Sequence, residues 1–202
     1  MRVVVCLCLC LLCLSKMAGA TPITSITFDF TLAVEDFCYQ FDDFELQVGA
    51  YAEDDDGKIF SAVITQTTND GLGVASSDSD DGQLENSGPN DILQFSFSRT
   101  VTMSKIGFSL VDDDDEFLLA VDKGSFSDPT DIIGEHSDRL QEKLYAFSLN
   151  SFGSIFEFKT RDSKDDFRIK FMTVDYVPTL SSFSEPSPIV PNPEHSSWLL
   201  LG

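Results

Sequence analysis

From Ile26 onward the apolar residues fall on alternate positions, Ile26, Phe28, Phe30, Leu32 and Val34, with Ser25, Thr27, Asp29 and Thr31 between them. Period two predicts a strand with one buried face, because successive side chains of extended backbone point to opposite sides. The pattern returns at Phe44, Leu46 and Val48, at Leu93, Phe95 and Phe97, at Ile106, Phe108 and Leu110, and at Phe117, Leu119 and Val121. It closes with Phe156 and Phe158, then with Phe167, Ile169 and Phe171 set against the polar Arg168 and Lys170. Helical spacing is confined to a short turn expected around Asp138 to Leu144. Turn-forming runs such as Asp54-Asp55-Asp56-Gly57, Asn69-Asp70-Gly71, Asp80-Asp81-Gly82 and Asp122-Lys123-Gly124 separate the strands. Many short one-faced strands predict an all-β fold: an antiparallel β-sandwich, jelly-roll-like, with a closed β-barrel as the alternative of equal periodicity.

The two ends of the chain break the pattern. Met1-Arg2, the apolar run Val3 to Leu14 and the small residues up to Ala20 form a secretory signal peptide over 1–20, with Ala18 and Ala20 marking the cleavage site for signal peptidase. A dozen apolar residues fall short of the roughly 20 that span a bilayer as a helix. Residues 21–177 then form one domain, and 178–197 a Pro/Ser-rich linker.

Composition adds two constraints. Cleavage removes Cys6, Cys8, Cys10 and Cys13 and leaves Cys38 alone, so an exported domain must hold without an internal disulfide. It also removes Arg2 and Lys16, leaving 11 basic against 34 acidic side chains and a formal charge of −23. Such a charge repels phosphate backbones and anionic membrane surfaces, which excludes nucleic acid and lipid headgroups as expected partners. Eighteen phenylalanines exclude the opposite reading of the acidity, a disordered tail.

Two segments resemble the PEP-CTERM family of exported bacterial proteins, the substrates of the exosortase sorting system. The first runs through Gly71-Leu72-Gly73-Val74, Gly88-Pro89-Asn90-Asp91, the Phe-rich stretch Leu93 to Phe97, and Asp112 to Phe117. The second, Asp166 to Ile169 with Thr173-Val174 and Val177-Pro178, is similar to the family's last core strand. Within 192–202, Pro193-Glu194-His195-Ser196-Ser197 is similar to the family's Pro-Glu-Pro-Ser sorting motif, with His195 in place of the second proline. Only Trp198 to Gly202 follow it, so the expectation is a degenerate or truncated signal. The resemblance implies a cell-surface or extracellular-matrix protein, an exosortase as a processing partner, and no chemistry of its own.

Candidate chemistry is sparse otherwise. His136 lies in a Gly-Glu-His-Ser-Asp loop without a nucleophile turn nearby, and Cys38 has no neighbouring Cys or His for zinc. Carboxylates are abundant, and the oxygens of Asp78, Asp80, Asp81 and Asn86, and of Asp112, Asp113 and Asp114, suit calcium, though neither loop has EF-hand spacing. Calcium is therefore the one cofactor candidate, with acidic loops neutralised by solvent and salt alone as the alternative. Two further functions stay open: a carbohydrate-binding module using Tyr39, Tyr51, Tyr145 or Tyr176 as a stacking platform for polysaccharide or matrix components, and a small hydrolase using paired aspartates.

Overall fold

The computed structural model describes residues 23–32, 36–41, 44–78 and 80–178. In chain order the strands are β1 (Thr24–Asp29), β2 (Cys38–Phe41), β3 (Phe44–Glu53), β4 (Ile59–Ser61), β5 (Val63–Thr67), β6 (Gly71–Ala75) and β7 (Leu84–Glu85). They continue with β8 (Asn90–Ser109), β9 (Glu116–Val121), β10 (Thr130–Asp131), β11 (Ser137–Gln141), β12 (Leu144–Thr160) and β13 (Asp166–Tyr176). Every pairing is antiparallel, and no helix occurs among the described residues. The expected turn at Asp138 to Leu144 is instead a hairpin, with β11 paired to β12 across a bulge between Arg139 and Gln141.

Two long strands make the sandwich out of a single ladder. The first half of β8 pairs with β3 (Val48↔Phe95) and with the second half of β12 (Phe156↔Phe95), which in turn pairs with β9. The second half of β8 pairs with β13 (Met172↔Ile106) and with the first half of β12 (Phe147↔Ile106). Between the halves the β8–β12 register slips, from Gly153↔Val101 to Ile155↔Ser96, so β8 carries extra residues around Arg99 where β12 carries only Ser154. A bulge bends a strand and increases its twist. Here it folds one layer over the other, and the sheet stays open rather than closing as a barrel. The order β10-β9-β12-β8-β13-β6-β5 jumps between distant strands, as jelly-roll-like connectivity requires.

Phenylalanine fills the space between the layers. Phe30 of the back layer stacks on Phe95 of the front at 5.4 Å between ring centroids, and Phe108 reaches Phe117, Phe158 and Phe167 at 4.8, 6.3 and 5.2 Å. The alternation of β3 is fully realised, with Phe44, Leu46, Val48, Ala50 and Ala52 buried. Elsewhere the phase slips. Leu32 lies past the end of β1 and is 63% exposed, and Leu110 leaves the strand at φ +63° while Val111 takes the buried place. In β13 a bulge at Lys170 moves the inward positions from the expected Phe171 to Met172 and Val174, while Arg168 keeps its place opposite Phe167 and Ile169 and is buried under Thr65 and Asp81. Val34 lies outside the described residues.

Candidate functional site

The acidic loops gather at one rim of the sandwich, around the start of β13. Asp166 feels the charges of both Asp81 and Asp112, so the two predicted calcium loops share one electrostatic neighbourhood. Burial is the main cause that raises the Asp166 carboxyl, and the same holds for Glu85 and Asp165. Two aspartates, Asp115 at the end of the expected acidic turn and Asp165 outside any expected site, are built into the rim. Asp115 caps its own turn by accepting the Asp112 amide (2.6 Å) and reaches across to the Asp166 amide (2.9 Å). Asp165 does the reverse: it accepts the Asp162 and Arg161 amides (2.8 and 3.0 Å) and reaches back to the Glu116 amide (3.1 Å). The β8–β9 and β12–β13 turns are thus stapled reciprocally. Turn capping by Asp is visible in the two acidic runs, but the cross-turn bonds require the tertiary fold.

Asp91 is the third buried carboxylate. It sits on the inward face of β8, in line with Leu93 and Phe95, with one oxygen 3.4 Å from the Glu85 amide and the other without a hydrogen-bond partner. Burial pushes its pKa up to about 8, with Asp80 adding to the rise and the Glu85 amide opposing it. Asp115 is pushed up to about 7, again by burial, against the pull of its two amide donors. A buried carboxyl lacking a positive partner keeps its proton, because the charged form pays for lost solvation.

The predicted calcium ligands are used differently. Asp80 accepts the Ser76 amide and hydroxyl (2.8 and 3.1 Å) and the Gly82 amide (2.7 Å). Asp81 accepts the Gln83 amide (3.0 Å), and Lys143 pairs with Asp112 at 2.5 Å. Asp78, Asp113 and Asp114 are exposed, and Asn86 is half-buried after β7. Among the described residues, no three His, Cys, Asp or Glu side chains stand together as a group that could hold a metal ion. Buried Arg168 fastens the rim from below, donating to the Asp81 carbonyl (3.2 Å) and the Thr65 hydroxyl (3.1 Å).

The other candidates separate clearly. Tyr39 packs its ring edge against Phe28 and Phe30, and burial pushes its hydroxyl up to about 12. Tyr145 is buried beneath the Arg139 guanidinium, and Tyr176 packs on Phe44 at 4.7 Å. Tyr51 alone of the four lies on the outer face of the front layer, its ring over Gly49. His136 is exposed. Gly71 turns the β5–β6 hairpin at φ +88° and Gly73 packs against the Gly82 backbone, consistent with turn and close-approach roles. Ala18, Ala20, Pro193, Glu194 and His195 lie outside the described residues, as does the linker beyond Pro178. Among the described residues no helix is long and apolar enough to cross a membrane.

The fold and the rim define a class: an all-β antiparallel sandwich with an acidic, turn-stapled edge. Neither a protein family nor a curated protein matches the sequence. Among solved structures, the one described as CpGH89CBM32-6 produced by Clostridium perfringens is similar at 12% identity and a TM-score of 0.31, over 58% of this chain and 93% of that one.

Proposed function

We propose that the chain is an exported, non-enzymatic protein of the cell surface or extracellular matrix, released by signal peptidase and related to exosortase substrates. The observation that carries the non-enzymatic part is the fate of the carboxylates. Asp91, Asp115 and Asp165, all with raised pKa, are the groups a paired-acid hydrolase would recruit, yet they are sealed from solvent and at least partly committed to backbone amides. A general acid must come within hydrogen-bond reach of a substrate, and these cannot without unmaking the rim. Calcium belongs to this reading as a cation associated with the mutually repelling rim, rather than one held in a preformed cage.

Expression of the full precursor in a Gram-negative host tests the proposal. The expected product is extracellular, begins at Thr21, and turns over no chromogenic glycoside or ester. Uncleaved protein in the cytosol, or turnover abolished by an Asp→Asn substitution, contradicts it. A second reading, a carbohydrate-binding module, is favoured by one observation: the Tyr51 ring lies on the outside of a sheet instead of in the core.

A further inference from the structure

Strand register sets out the outer face of the front layer row by row. Gly49, Gln94, Glu157 and Ala120 form one row across β3, β8, β12 and β9, and Tyr51, Ile92 and Lys159 form the next. The Tyr51 ring covers Gly49 at one end of the first row and Ala120 is buried at the other, so the open part of the face is a trough with Gln94 and Glu157 as its polar floor and Tyr51 as its aromatic wall. Its volume is about 270 Å³, with Ile59 and Lys123 completing the lining. This lies near the lower bound for small-ligand sites.

The floor is preorganised. Ser96 donates to the Gln94 amide oxygen (3.1 Å), and the Gln94 amide nitrogen donates to one Glu157 oxygen (2.6 Å). That chain fixes both side chains and leaves the second Glu157 oxygen to accept from a ligand. The Lys159 ammonium is held at the next row by Glu53 (3.1 Å) and the Phe126 ring (4.4 Å), so it adds little free positive charge. On the wall, the Tyr51 ring packs over Gly49, which has no side chain to displace it. A Cβ on Gly49 would stand 3.3 Å from the ring.

An aromatic face beside fixed amide and carboxylate groups matches the two faces of a sugar ring: C–H groups stack on the aromatic, and hydroxyls bond the polar pair. The chain's charge of −21 works against phosphorylated, sulfated or uronic ligands. We propose that this trough binds an uncharged polysaccharide, with Tyr51 as the stacking platform and Gln94 and Glu157 as hydroxyl partners. The proposal rests on the carbohydrate-binding reading above.

The test is retention of the purified full-length chain on immobilised neutral glucans, xylans and mannans, followed by titration calorimetry on whichever is bound. Tyr51→Ala should weaken binding by about tenfold or more and Glu157→Gln by a smaller factor, while Phe152→Ala, an exposed aromatic outside the trough, leaves it unchanged. Thermal melts of each variant separate lost binding from lost folding. If Tyr51→Ala fails to fold, Gln94→Ala and Glu157→Gln carry the same test. Binding that survives all three trough substitutions, or that Phe152→Ala abolishes, overturns this site but keeps the carbohydrate reading. No retention of the unaltered chain on any neutral polysaccharide overturns both.

Discussion

Asp91 shows how far a single position can depart from what its residue type suggests. Aspartate at the head of a strand reads as a turn-former, and Gly88-Pro89-Asn90-Asp91 encourages that reading. The strand's own phase puts it on the inward face, where it is fully buried and holds its proton. The consequence has a definite sign. An ordinary aspartate titrates near 3.9 when unfolded, so between about pH 4 and 8 the folded protein binds the extra proton. The stabilising contribution is complete below pH 4 and is lost as pH climbs through 8. Asparagine mimics the protonated carboxyl, so Asp91→Asn should leave the pH 5 melting temperature near its original value and raise it at pH 8.5, by the equivalent of about 1–3 kcal/mol. Urea unfolding at the two pH values checks this, and an Asp91→Asn variant less stable than the unaltered chain at pH 8.5 would show that the ionised form is the one the fold uses.

At the scale of strands, the alternating pattern located β3, the first half of β8 and the second half of β12 almost residue by residue, because those segments keep an unbroken period of two. It failed where ladders slip. Phe171 loses its expected inward place because sequence periodicity does not register the bulge at Lys170, and Leu110 because a left-handed backbone at φ +63° ends the strand one residue early, whereas Arg168 keeps its phase opposite Phe167 and Ile169 and is buried because Thr65 and Asp81 cover it. The slip in β8 around Arg99 is equally silent in sequence, yet it turns one ladder into two layers. The rings that join those layers follow from it. Phe108 touches rings from β9, β12 and β13, so Phe108→Ala should cost about 3–5 kcal/mol of unfolding free energy, with no partner able to fill the space. Chemical denaturation measures it, and a loss under 1 kcal/mol would mean that the layers do not meet there.

Across the whole molecule, the acidic loops were legible as a cluster type, but not as a place. The sequence separates Asp81 from Asp112 by a long strand, and only the fold brings both to Asp166. The outer trough was less legible still: Tyr51 was one of four equal tyrosines until strand register set it beside Gln94 and Glu157. The rim's carboxylates build the fold, some of them protonated, under strong mutual repulsion. Thermal unfolding at pH 5 and pH 8.5, in about 0.5 M salt to screen distant charges, tests this most directly. The melting temperature should be lower at pH 8.5 and recover there in part with millimolar calcium. A melting temperature that rises with pH would contradict it, and no response to calcium at pH 8.5 would remove the cation from the rim.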